Sequence, residues 1–104
     1  MRMSTPKRKS PALVDASLRI GEHLSARRRL WGITQDDLAI RAGISRRTLA
    51  NIEAGDASVS MGRVLAVARI LGAMDKVVEA FSPLSSPEGL HRMNSQLPKR
   101  VRRV

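Results

Sequence analysis

Residues 33–55, ITQDDLAIRAGISRRTLANIEAG, decide the fold of this chain. Thr34 has a side-chain oxygen that can accept a backbone hydrogen bond at the start of a helix, and acidic Asp36 suits the positive end of the helix dipole. Gly43 comes where this helix must end, because the left-handed conformation favoured there suits a residue without a Cβ atom. Ser45 is well suited to cap a second helix. The stretch therefore predicts two short helices joined by a tight turn.

The second of these helices has two faces of different character. Leu49 and Ile52 recur at helical spacing and are expected to be buried together with Glu53. The opposite face is polar and basic, with Arg46, Arg47, Thr48 and Asn51. Two helices joined by a short glycine-containing turn form a helix-turn-helix, whose second helix enters the major groove of DNA. The alternative is an ordinary helix pair with a solvated basic face, which requires cap, turn and polar face to coincide by chance.

The combined spacing closely resembles that of the phage-repressor-like (Xre/Cro) helix-turn-helix family. The resemblance covers about residues 17–81 and rests on Thr34-Gln35, Leu38-Ala39, Gly43-Ile44-Ser45, Leu49 and Ile52-Glu53-Ala54-Gly55. It implies an all-α fold, a compact five-helix repressor-like domain, and the composition of the flanking segments adds flexible basic N- and C-terminal tails. Accordingly, we expect a basic arm that is disordered when free (residues 1–14), the DNA-binding domain (15–81), and a Ser/Pro linker with a basic tail (82–104).

The same resemblance implies which side chains meet DNA. The positions that face the groove in this family are occupied here by Ser45, Arg46, Arg47, Thr48 and Asn51. Gln35 resembles a residue that hydrogen-bonds a phosphate and supports the second helix. An arginine at the start of that helix can form a bidentate pair with guanine, worth about 1–3 kcal/mol of discrimination. One of the two arginines can instead contact only phosphate, and Asn51 either pairs with adenine or is solvated.

Three successive arginines, Arg27, Arg28 and Arg29, point in directions about 100° apart if their segment is helical. The family resemblance implies that Arg28 pairs with Glu53 beneath the two short helices. A planar guanidinium suits such a partly buried carboxylate. We assign Arg27 to a phosphate contact.

A fifth helix is expected over residues 76–81, which would expose Val77, Val78 and Phe81. Apolar stripes at this spacing are usually core. Because a domain this small has little core left to cover them, we interpret these residues as a homodimer interface. Two copies would then bind the two halves of a palindromic operator.

The net charge of +10 points to a polyanionic partner. Residues 1–16 carry four basic and one acidic side chain, and residues 98–104 carry four basic and none acidic, so the two tails supply +7. Clustered basic tails attract nucleic acid through phosphate neutralisation. An anionic membrane surface is the weaker alternative, because neither tail has an amphipathic apolar stripe.

Other classes of function are disfavoured. The chain has no cysteine and only two histidines, so we expect no metal and no cofactor. We find no nucleophile or phosphate-binding motif and expect no enzyme activity. No apolar run or signal-peptide pattern is present, so we expect a cytoplasmic, nucleoid-associated protein with no membrane partner.

Within the repressor class, the chain is similar to HipB-like antitoxins, with a short domain, a Ser/Pro linker and a basic LPKRVRR tail. This implies an autoregulating antitoxin that binds a HipA-like serine/threonine kinase toxin. The chain departs from the pattern at residues 74–81, where we expect a helix in place of a strand that pairs across the dimer. Three alternatives remain: a free-standing phage-type or metabolic repressor, a protein-only inhibitor, and a sequence-tolerant RNA-binding protein. The last is disfavoured because the chain has only two aromatic residues, Trp31 and Phe81, that could stack on bases.

Overall fold

The computed structural model describes residues 10–96, and every regular element among them is helical. The elements are α1 (Pro11–Leu30), α2 (Gln35–Ala42), α3 (Arg46–Glu53), α4 (Met61–Ile70), α5 (Met74–Ala80), a 3-10 turn (Pro83–Ser85) and α6 (Pro87–Gln96). The all-α prediction is confirmed. The predicted five-helix domain corresponds to α1–α5, whereas α6 lies within the segment that we predicted as a linker and tail. No helix among the described residues is long and apolar enough to cross a bilayer.

The chain divides into two units, one ending at Gly72 and one beginning at Ala73. In the first unit, α2 packs against α3 and α4, and α1 packs against α3. Their shared core is aliphatic and consists of Leu24, Leu38, Ala39, Leu49, Ile52, Val67 and Leu71. Because the largest of these side chains are fully buried, the core sets the separation of the helices that carry the candidate site. The predicted domain, residues 15–81, spans the division between the units.

Each short helix of the first unit begins at a hydroxyl side chain. Thr34, Ser45 and Ser60 accept a hydrogen bond from the backbone N–H group three residues later. These bonds satisfy N–H groups that have no partner inside the helix. At the end of α2, Gly43 has a φ of 71°, the left-handed conformation expected there. The turn chemistry therefore agrees with the sequence pattern.

The packing of α1 on α3 depends on a glycine. Gly21 is buried, and a Cβ atom built on it would lie 2.6 Å from the carbonyl oxygens of both Ile52 and Glu53. Only a residue without a side chain lets the two backbones approach this closely. Gly21 thus places α1 directly against the last turn of α3.

The predicted N-terminal arm, residues 1–14, needs correction at its inner end. Helix α1 begins at Pro11, because Ser10 accepts a hydrogen bond from the Leu13 N–H group and proline is favoured in the first turn. The first nine residues of the arm lie outside the described part of the chain.

The predicted linker is also corrected. Ser82 caps a 3-10 turn and Ser86 accepts a hydrogen bond from the Gly89 N–H group at the start of α6. Pro83 and Pro87 each follow such a serine, so the Ser-Pro pairs start helical turns instead of forming an extended linker. The basic tail after residue 96 lies outside the described residues.

Candidate nucleic-acid interface

The segment between α2 and α3 is a three-residue turn, Gly43 to Ser45. Its backbone is held by hydrogen bonds from the Gly43 N–H to the Ile40 carbonyl and from the Ile44 N–H to the Ala39 carbonyl. The Ile44 side chain packs against the core. These contacts fix the angle between the two helices, as a rigid helix-turn-helix requires.

Helix α3 buries one face and exposes the other. Leu49 and Ile52 are buried, whereas Arg46, Arg47 and Asn51 are exposed. This separation of faces was predicted from helical periodicity. The exposed face starts at the N-terminal end of α3, which is the end that contacts base edges in this class of motif.

Ser45 and Thr48, also predicted to face DNA, contact each other. Ser45 Oγ accepts from the Thr48 N–H at 3.0 Å and donates to Thr48 Oγ1 at 2.8 Å. Their hydroxyl groups therefore organise the first turn of α3. Any DNA contact by them remains a prediction.

The two arginines at the start of α3 differ in their surroundings. Arg46 Nε lies 3.3 Å from Asp36 Oδ1 at the start of α2, and both side chains are about two-thirds exposed, at 64% and 68%. Among residues 10–96, the Arg47 side chain has no hydrogen-bond or ion-pair partner. The sequence presents the two arginines as equivalent, and its local pattern accounts for Asp36 only through the helix dipole. Opposite charges on either side of the turn were the signal that we missed.

A network centred on Glu53 joins three helices beneath this surface. Arg28 donates from Nε to Glu53 Oε2 at 2.7 Å and from Nη2 to Glu53 Oε1 at 3.2 Å. Gln35 Nε2 also donates to Oε1, at 2.9 Å. A further bond runs from Arg28 Nη1 to the Ile33 carbonyl at 2.9 Å. The network ties α1 to the first turn of α2 and the last turn of α3.

The electrostatics of Glu53 reflect its partners. Burial by itself would raise the pKa of this carboxyl group, but hydrogen bonds from Arg28 and Gln35 and the positive charge of Arg28 outweigh burial. The pKa therefore lies below its ordinary value of 4.5. Only 13% of the Arg28 side chain and 7% of the Glu53 side chain are exposed, so the charged pair is shielded from solvent.

Two residues assigned to phosphate contacts have partners inside the protein. Arg27 Nη1 donates to the Leu71 carbonyl at 3.0 Å, so Arg27 ties α1 to the C-terminal end of α4. Gln35 donates to Glu53 instead of pointing its amide N–H group freely outward. Sequence periodicity could not show these bonds, because it gives a direction on one helix and not the neighbouring atoms. Their phosphate contacts remain predictions.

The residues predicted to form a dimer interface lie on or next to α5. Val77, Val78 and Phe81 are all exposed, and Phe81 is 82% exposed. They are about one turn apart or adjacent, so they share an apolar surface. Their role in a homodimer remains a prediction.

A family model described as a helix-turn-helix domain matches residues 19–81. The match includes α2, the turn and α3, together with the network beneath them. No curated protein and no solved structure matches the chain.

Proposed function

The chain belongs to the helix-turn-helix domain family, and from this premise we propose that it is a sequence-specific transcriptional repressor. Its α3 helix would read the major groove of operator DNA. The observation that carries the proposal is the pair of exposed arginines, Arg46 and Arg47, at the N-terminal end of a helix held rigidly on a buried core. Arginine matches the O6 and N7 acceptors of guanine in the major groove. We further propose that the protein acts by binding and has no enzymatic activity.

Operator binding by one α3 helix covers few base pairs, so we propose a homodimer on a palindromic site. The support is the exposed apolar surface of Val77, Val78 and Phe81. A two-fold dimer uses the same surface on both copies. Dimers of this class bind half-sites about one helical turn apart, or multiples of that distance.

We also propose that the repressor is an antitoxin that binds a HipA-like serine/threonine kinase toxin and represses its own operon in the cytoplasm, at the nucleoid. The support is the similarity to HipB-like antitoxins and the length of chain beyond the matched residues 19–81. That extra chain includes α6, which has no buried residue. A kinase could cover it, whereas a free-standing repressor has no evident use for it.

The test of sequence-specific binding is selection of a preferred site from random-sequence duplexes, followed by mobility-shift measurements. We expect Arg46→Ala to reduce the preference for the selected site over a scrambled duplex by roughly 5- to 150-fold, the equivalent of about 1–3 kcal/mol. Arg47→Ala should weaken binding to both duplexes. Arg69→Ala removes an exposed arginine of α4, outside the helix-turn-helix, and should change the preference little. Failure of the full-length protein to select any site would refute the proposal.

The antitoxin proposal is tested by two truncations. Removal of residues 97–104 deletes only the tail and its four basic residues, whereas truncation after Ser82 deletes α6 as well. If α6 binds the kinase, only the longer deletion abolishes capture of a HipA-like kinase in a pull-down. If the tail instead binds DNA phosphates, the shorter deletion makes log affinity fall less steeply with log salt concentration. The magnitude of that slope should decrease by up to about 4, since the tail has four basic residues. No kinase capture by the full-length protein would leave a free-standing repressor.

A further inference from the structure

The ion pair between Asp36 and Arg46 links the first turn of α2 to the first turn of α3. Both helices contribute fully buried residues, Leu38 and Leu49, to the core. The distance between the two helix starts is therefore fixed by packing and not by the ion pair. As a result, the backbone of Asp36 is held in place, and its short side chain keeps a carboxylate within reach of the longer, flexible side chain of Arg46.

We infer that Asp36 determines specificity by positioning Arg46 for base reading, an inference that rests on the proposed function. A guanidinium group has five N–H donors in a planar fork. The carboxylate of Asp36 lies at Nε, so the two Nη groups at the far end of the fork stay available. Those two groups match the O6 and N7 atoms of guanine. Without Asp36, the same side chain is free to turn to a phosphate, which carries no sequence information.

Asp36 also separates the roles of the two arginines. Arg46 and Asp36 together have no net charge, so the pair gains little from the phosphates of arbitrary DNA. Arg47, which has no partner among residues 10–96, can neutralise a phosphate in any sequence. The structure thus assigns base recognition to Arg46 and binding of the DNA phosphate backbone to Arg47.

Asp37 provides a matched control. It lies in the same first turn of α2, but its Oδ2 atom pairs with Arg41 Nη2 of the same helix at 3.1 Å. Asp37→Asn therefore removes one negative charge from nearly the same place without releasing a residue of α3. Both aspartates are about half exposed or more, so neither amide substitution should disturb the core.

The experiment measures the affinity of the full-length protein for its selected site and for a scrambled duplex, over a range of salt concentrations. The single variants are Asp36→Asn, Asp37→Asn and Arg46→Ala. A double variant combines Asp36→Asn with Arg46→Ala. The affinity ratio is the affinity for the selected site divided by the affinity for the scrambled duplex. We expect Asp36→Asn to lower this ratio by about 2- to 5-fold, the range for the loss of an exposed ion pair. Most of the change should come from tighter binding to the scrambled duplex. Asp37→Asn should leave the ratio unchanged.

Two further readouts separate positioning from a general charge effect. Repeated site selection should show that Asp36→Asn and Arg46→Ala relax the same base pair. In the Arg46→Ala background, Asp36→Asn should change the ratio no further. Equal ratios for Asp36→Asn and Asp37→Asn, or an effect that persists without Arg46, would overturn the inference.

The failures of the two proposals are distinguishable. If the unsubstituted protein selects no site, sequence-specific binding and the role of Asp36 are both refuted. If it selects a site and Asp36→Asn retains the full ratio, only the role of Asp36 is refuted. If Asp36→Asn lowers the melting temperature and weakens binding to both duplexes alike, Asp36 is a structural residue and the inference is again overturned.

Discussion

The carboxylate of Glu53 is the centre of the hydrogen-bond and ion-pair network that joins α1, α2 and α3 in the first unit. Its two carboxylate oxygens accept hydrogen bonds from Arg28 on α1 and Gln35 on α2. Removing one partner of a shielded ion pair costs more than the pair itself contributes, because the survivor loses its compensating charge while remaining mostly shielded from solvent. The network is thus a point where a single substitution affects the support of α3.

Glu53→Ala should lower the free energy of unfolding by about 3 kcal/mol, since it leaves the Arg28 guanidinium without its carboxylate. Urea denaturation followed by circular dichroism measures the loss. Glu22→Ala is the matched control, because Glu22 is exposed on α1. Equal losses for Glu53→Ala and Glu22→Ala would contradict the prediction.

The lowered pKa of Glu53 also predicts a pH dependence of stability. Since the carboxyl group is more acidic in the folded than in the unfolded protein, its contribution is complete above the ordinary value of 4.5 and is lost as the pH falls through the folded-state pKa. The stability difference between the unsubstituted protein and Glu53→Gln should stay constant from about pH 7 to pH 5 and shrink below pH 4.5. The urea midpoints of both proteins, measured across this pH range, test the prediction. A stability difference that grows as the pH falls would contradict it.

At the level of elements, the crossing of α1 over α3 is set by backbone contact. Gly21 lies against the carbonyl groups of Ile52 and Glu53, at the end of α3 opposite the two arginines. Because backbone atoms cannot rotate away as a side chain can, a larger residue there must move a helix. Such a movement would disturb the Arg28–Glu53 bond, which spans the same crossing.

Gly21→Ala should therefore destabilise the protein by about 2 kcal/mol, although alanine is the better helix former by about 1 kcal/mol. Gly62→Ala is the matched control, since a Cβ atom on this α4 glycine meets nothing within 4 Å. That control should be neutral or slightly stabilising. Thermal denaturation of both variants compares them directly, and a Gly21→Ala protein as stable as the parent would show that α1 can shift at no cost.

At the scale of the whole molecule, charge and apolar surface are distributed unevenly. The net charge of +10 comes mainly from residues 1–16 and 98–104, whereas the helices that form the candidate interface carry acidic as well as basic side chains. The apolar surface of Val77, Val78 and Phe81 belongs to the second unit. Affinity for DNA in general, affinity for one sequence and dimerisation are thus proposed to depend on different parts of the chain.

Phe81→Asp should convert a dimer into monomers and weaken operator binding by removing the second half-site. Sedimentation measures the first effect and mobility shift the second. Leu30→Asp is the matched control, because Leu30 is 83% exposed, close to the 82% of Phe81, but ends α1. The prediction of a dimer interface on α5 would be contradicted in either of two cases. The unsubstituted protein could be monomeric at high concentration, or both substitutions could dissociate the dimer equally.

The sequence by itself determined the elements that depend on local chemistry. These elements are encoded within a few residues of chain. Thr34 and Ser45 cap the two helices, Gly43 ends the first, and Leu49 and Ile52 lie on the face of α3 opposite the arginines. Such signals predict α2, the turn and α3 because capping, left-handed glycine and helical periodicity act over one or two turns. The start of α6 had the same signal in Ser86-Pro87, but its weak apolar pattern led us to predict a linker.

Apart from the Arg28–Glu53 pair, which the family resemblance implied, only the tertiary structure decided which atoms meet across helices. Arg27 bonds the Leu71 carbonyl, Gln35 turns toward Glu53, and Asp36 holds one of two adjacent arginines that the sequence presents as equivalent. Periodicity assigns a side chain to a face of its own helix. The partner it finds depends on how neighbouring helices cross, and that crossing is set by core packing and by the close approach at Gly21, which involve residues distant in the chain.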